Sequence, residues 1–218
     1  MDLENNLNRL RTRIERICVD SGRMPESIDI LPVTKYKSIE LIKKLQSLGF
    51  RTVGENYIQE IKKKYLELPG IDWVAIGHLQ TNKASMAVHL CQTILSVDSL
   101  RLAQSLNRES QRLKKNINVW IQIDLWDQRP PKGCRKQDVG LLLDFIDEAP
   151  YLDLQGLMVL PPQGDASAFA QSNGYRLDLE QKLQRTLSLS MGMSGDLELA
   201  IRHGSNQLRI GSALLGPR

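Results

Sequence analysis

With 218 residues, 41% of them apolar and few aromatic, the chain can bury one large core and falls within the about 200–250 residues that α/β barrels occupy as a single domain. A net charge of +4 is mild, and the basic clusters Lys62, Lys63, Lys64 and Arg129, Lys132, Arg135, Lys136 have no interleaved aromatics to stack bases, so they read as solvated faces and not as a nucleic-acid surface. Three scattered cysteines without a CxxC pair exclude a zinc knuckle or a disulfide framework, no apolar run approaches the about 18 residues of a membrane span, and the charged opening "MDLENNLNRL" holds no signal segment, so a protein of the reducing cytoplasm is expected.

Leu3, Leu7, Leu10, Ile14 and Ile17 recur at helical spacing and predict an amphipathic N-terminal helix that stops near Gly22. An alternation then sets in. A strand is expected over 28–35, and a helix over 38–49 between an N-cap at Ser38 and a stop at Gly49. Further strands are expected over 51–56, 72–77, 92–99, 117–125, 152–160, 187–192 and 207–211. Helices fall between them: one ending near Pro69, then 83–90, 100–115, 138–149, about 166–187 and about 196–203. Residues 126–137, rich in Pro, Lys and Arg, read as a loop.

Eight strands alternating with helices predict a parallel sheet closed into a (β/α)8 TIM barrel, with the first helix as an addition. No shift in composition marks a second domain, so residues 1–218 read as one domain. An open doubly wound sheet is the other architecture, but no G-x-G-x-x-G follows the first strand. No large exposed apolar stripe is evident, and a monomer is expected.

Barrel active sites sit at the C-terminal strand ends. Lys35 closes "LPVTK" on the same strand parity as Leu31 and Val33. A lysine in a partly apolar pocket loses its proton more readily and becomes a nucleophile, whereas one at a strand end also simply reaches out to solvent. The far end of the chain bears on that choice. "SMGMSGD" (190–196) follows strand seven with the hydroxyls of Ser190 and Ser194, and "RIGS" (209–212) closes strand eight with Gly211 and Ser212. The loops after these two strands commonly hold a phosphate in such barrels. A lysine on one wall and a phosphate cup on the other suggest pyridoxal 5′-phosphate, its aldehyde on Lys35 and its pyridine nitrogen facing Arg209.

The stretches "VTKYK", "GENYIQE" (54–60), "IGHLQTNK" (76–83), "GLMVL" (156–160), "SMGMSGD" and "RIGSALLG" (209–216) carry a resemblance to the YggS/PROSC family of pyridoxal phosphate homeostasis proteins. They occur in the family's order across nearly the whole chain. The resemblance implies the barrel of the alanine racemase N-terminal domain, with Lys35 as the Schiff-base lysine. It implies that Ser194, Gly211 and Ser212 bind the phosphate, with Met193 contributing backbone and Ser190 close by. It also implies Asn56 beside the ring, Val33, Met158 and Leu160 packed near it, and Arg209 at the ring nitrogen. Enzymes that accept the cofactor are the implied partners. His78 and Asn82 belong to the matched stretch without an assigned role. The loop "WDQRPPKGCRKQD" (126–138) departs from the family pattern; Lys132 and Gly133 correspond to its K-x-G, but their surroundings are altered.

Two functions compete: an amino-acid racemase-like enzyme, and a carrier that holds the cofactor without substantial turnover and tunes its free level. A two-base racemase needs an acid/base group facing the lysine, which in alanine racemase is a tyrosine in a site completed by a second domain. This chain runs seven residues past Gly211, so an open site is expected. An arginine at the ring nitrogen also makes a poorer electron sink than an aspartate would, although alanine racemase shares that arginine. The carrier is the expected function.

Overall fold

The structure, a computed structural model, describes residues 2–216. Helix α1 (Leu3–Asp20) starts where Asp2 accepts the Asn5 N–H at 3.0 Å, and it buries the predicted stripe of Leu3, Leu7, Leu10, Ile14 and Ile17. The strands are β1 (Asp29–Pro32), β2 (Thr52–Glu55), β3 (Asp72–Ala75), β4 (Thr93–Val97), β5 (Ile117–Asp124), β6 (Cys134–Arg135), β7 (Leu152–Val159), β8 (Ser188–Ser190) and β9 (Gln207–Ile210). The helices between them are α2 (Ile39–Ser47), α3 (Ile58–Lys64), α4 (Ala84–Leu90), α5 (Leu100–Leu113), α6 (Val139–Glu148), α7 (Ala166–Leu183), α8 (Leu197–Arg202) and α9 (Ser212–Leu215).

All pairings are parallel, in the order β1-β9-β8-β7-β5-β4-β3-β2, with β6 added beside β5. The remaining seam is closed just past β1, where Val33 bridges Gly54 and the Thr34 N–H donates to the Gly54 carbonyl at 2.9 Å. The result is the expected TIM barrel with its N-terminal helix, which packs on α8 and α9. Outward-facing strand residues join the helices in one large apolar shell. Inward-facing Leu31, Val74, Leu95, Trp120 and Met158, with Ile76, plug the barrel as a separate cluster. This two-sided burial is why β3 and β4 read as apolar runs, whereas β5 alternates Ile117, Val119, Ile121 and Ile123 with Asn118, Gln122 and Asp124.

Gly156 shows how tightly β7 and β8 approach. A Cβ there would lie 2.1 Å from the Ser188 carbonyl oxygen, so no side chain fits without moving β8. Gly156→Ala is expected to cost about 1–3 kcal/mol through overpacking, read as a lowered urea midpoint at unchanged m-value.

Several boundaries differ from expectation. The first strand ends at Pro32, although the Val33 N–H still donates to the Ile210 carbonyl at 2.8 Å, and Tyr36 then turns the chain with φ 61°. The loop over 126–137 contains β6, a two-residue strand too short for any periodic signal. Helix α9 was not anticipated; four residues make one turn and show no repeat. The helix expected to about 187 stops at Leu183, where Gln184 adopts a left-handed φ of 52°.

Candidate functional site

The C-terminal strand ends open into a cleft of about 690 Å³. Its residues come from distant points of the chain, and each arrives by strand geometry. Lys35 stands half-buried on the β1–α2 connection, one residue beyond the seam that ties Thr34 to Gly54. Asn56 follows β2. It reaches the cleft beside Gly77, where any Cβ would sit 2.2 Å from the Asn56 carbonyl oxygen, which explains the glycine in "IGHLQ". Val33, Met158 and Leu160 supply apolar wall.

Arg209 lines the cleft and is almost wholly buried. Its guanidinium donates to the Ser190 carbonyl at 2.7 Å, the Ser190 hydroxyl at 2.8 Å and the Val159 carbonyl at 3.0 Å. Burial pulls its pKa down to about 10, with Asp196 opposing, so it remains a cation at neutral pH. Ser190 is therefore behind the arginine and not on the cleft wall: fully buried, it aims Arg209.

Met193 and Ser194 line the cleft from the β8–α8 loop, and Gly211 and Ser212 line it from the start of α9, beside β1. The Ser194 hydroxyl accepts the Ala213 N–H at 3.1 Å, tying the β8–α8 loop to α9, and the Met193 N–H donates to Asp196 Oδ1 at 2.6 Å. At Gly211 the nearest atoms to an added Cβ would be 3.8 Å away, so that side of the cup has room.

Ten of the eleven residues singled out from the sequence thus share one cleft, and Ser190 supports it from beneath. His78 and Asn82 are not among its walls; His78 Nδ1 pairs with Asp98 Oδ2 at 2.9 Å on the exposed rim. Sequence reasoning missed Lys37, Ile76, the Pro161–Gln163 turn, Gly195 and Gly216 as wall residues. The parity of β3 would have found Ile76, two residues after the inward Val74. Lys132, set aside with its altered loop, does line the cleft. Asp124 organises that loop by accepting the N–H groups of Trp126, Gln128 and Lys132 at 3.0, 2.9 and 3.1 Å.

Among the described residues lining the cleft, the ionisable ones are Lys35, Lys37, Lys132 and Arg209, all basic. Hydroxyls, cations and an apolar wall suit a flat ring bearing a phosphate, and the primary amine suits an aldehyde. A second concavity of about 520 Å³ lies at the other end of the barrel, between charges of both signs such as Arg11, Glu15, Asp29 and Arg51. None of the described residues lining it is a lysine, and it lies at strand beginnings, away from where barrels do chemistry.

The barrel and cleft define a class, that of the alanine racemase N-terminal domain, whose family profile matches residues 3–218. A pyridoxal phosphate homeostasis protein of Corynebacterium glutamicum is 36% identical over 96% of this chain and 99% of its own length, and one of Haemophilus influenzae is 34% identical over 100% and 97%. PipY of Synechococcus elongatus, solved with PLP bound, superposes with a TM-score of 0.82 at 33% identity, covering 93% of this chain and 99% of that one. The chain belongs to the alanine racemase N-terminal domain family, within the branch formed by these pyridoxal phosphate homeostasis proteins.

Proposed function

We propose that this protein binds pyridoxal 5′-phosphate as a Schiff base on Lys35 and serves intracellular homeostasis of the cofactor without substantial turnover. The carrying observation is that Lys35 shares one cleft with the Arg209, Ser194 and Ser212 groups in a chain of this family. The cofactor supplies an electrophilic aldehyde. The protein's part is to present the Lys35 amine, hold the phosphate at Ser194, Gly211 and Ser212, and set Arg209 against the ring nitrogen. Asn56, Val33, Met158 and Leu160 would flank the ring. Enzymes that need the cofactor are the recipients this reading implies.

The carrier reading is favoured over a racemase by the make-up of the walls. No tyrosine, histidine or carboxylate is among the described residues lining the cleft, so the usual acid/base partners for a lysine are missing from it. The test is the visible spectrum of the protein together with an assay across a broad amino-acid panel. An imine band without turnover is expected, and steady racemisation or transamination at ordinary enzyme rates of about 1 s⁻¹ or more would overturn the carrier reading. Ser194→Ala is expected to weaken retention of the cofactor by about 5–30-fold, the loss of one phosphate hydrogen bond, measured by equilibrium dialysis.

A further inference from the structure

Of the basic run Lys62, Lys63 and Lys64, the first two are exposed, as a solvated face should be. Lys64 instead turns inward and is buried. Its ammonium lies 3.0 Å from Glu55 Oε2 and 3.2 Å from Glu60 Oε2, and it donates to the Thr34 carbonyl at 3.3 Å. Glu60 Oε2 in turn accepts the Tyr36 N–H at 3.2 Å. Thr34 and Tyr36 are the two neighbours of Lys35. Glu55, fully buried, accepts the Thr34 hydroxyl at 3.3 Å and the Asn56 N–H at 2.9 Å.

Buried ion clusters contribute little net stability once desolvation is counted, so what this one does is better sought in the geometry it fixes. That geometry is unusual. Tyr36 has φ 61°, a left-handed conformation that a bulky L-residue adopts only when held there. The turn lets Lys35 and Lys37, two residues apart, both line the cleft.

We propose that Glu60 and Lys64 are positioning residues for Lys35: they clamp the backbone on either side of it and so aim its amine. This rests on the reading of Lys35 as the imine-forming lysine. In that step the amine nitrogen adds to the aldehyde carbon, the C=N bond forms, and the aldehyde oxygen leaves as water. An amine on a loose turn reaches the attack geometry less often, whereas Ser194, Gly211 and Ser212, the groups read as holding the phosphate, are carried by the β8–α8 loop and the start of α9 and not by that turn.

The test uses the full chain stripped of cofactor and two probes: pyridoxal 5′-phosphate, and pyridoxine 5′-phosphate, whose alcohol cannot form an imine. Glu60→Ala is expected to slow imine formation about tenfold while changing pyridoxine phosphate affinity by less than about twofold. Glu60→Gln, whose amide oxygen still accepts the Tyr36 N–H, is expected to stay within about threefold of the parent rate. If Glu60→Ala does not fold, Glu60→Met takes its place with the same expectation, keeping the bulk without the acceptor. Parent-like imine kinetics in the Ala or Met variant, equal loss toward both probes, or a Gln variant as slow as Ala would overturn the clamp. Lys35→Ala in the same assay separates the two layers. An imine that persists there sinks the reading of Lys35 itself, while its loss there beside parent kinetics in Glu60→Ala sinks only the clamp.

Discussion

Lys35→Ala protein is expected to be colourless after purification and to show no imine band on titration with pyridoxal 5′-phosphate. The rest of the cleft survives the change. Arg209 keeps its three hydrogen bonds beneath the floor, and Ser194 keeps its link to Ala213. Residual binding should therefore persist through phosphate and ring contacts, but without the covalent bond it should fall by about 100-fold or more, equivalent to ~2.7 kcal/mol. Absorbance and dialysis read the two effects separately. A persisting imine would shift the chemistry to Lys37 or Lys132, the other lysines of the cleft.

Arg209→Met is expected to act on the fold as well as on the cofactor. The guanidinium cross-links β9 to Ser190 on β8 and to Val159 at the end of β7. Removing it leaves two buried carbonyls without this donor, at about 1–3 kcal/mol each, partly offset because a desolvated charge is also removed. A net loss of about 2–4 kcal/mol in urea unfolding is the expected result. Burial lowers the arginine's folded pKa to about 10, so the group is protonated in both folded and unfolded states at neutral pH. The sign of linkage then places any gain in parent stability above pH 10, as the folded state releases its proton first, and the Arg209→Met loss should be flat across the neutral range. For the bound cofactor, the variant should shift the imine spectrum more than it loosens binding. A spectrum and a stability both like the parent's would mean that Arg209 has been given the wrong place.

The features legible in the sequence were those that repeat or that terminate something. Strand β5 sets Ile117, Val119, Ile121 and Ile123 at strand period, β7 is eight residues long and mostly buried, and α1 shows its stripe at helical spacing, so their type was readable from pattern alone. Lys35, Arg209, Gly211 and Ser212 could be singled out because each breaks or follows an apolar run at a strand end. What stayed hidden depends on depth and on three-dimensional turns. Strand parity turns Ser190 inward but does not say that it lies under Arg209 and away from open space. Lys64 is chemically the same as its exposed neighbours Lys62 and Lys63, and only the packing of α3 against β2 separates them. The left-handed Tyr36 has no composition signal at all, since the residue usually found at such a φ is glycine.

Borohydride reduction of the cofactor-loaded protein, followed by peptide mass spectrometry, interrogates the site most directly. Reduction converts the imine to a stable secondary amine, so the pyridoxyl mass should appear on the peptide that carries Lys35 and on no other lysine. An adduct at Lys37, at Lys132 or elsewhere, or none under saturating cofactor, would contradict the assignment.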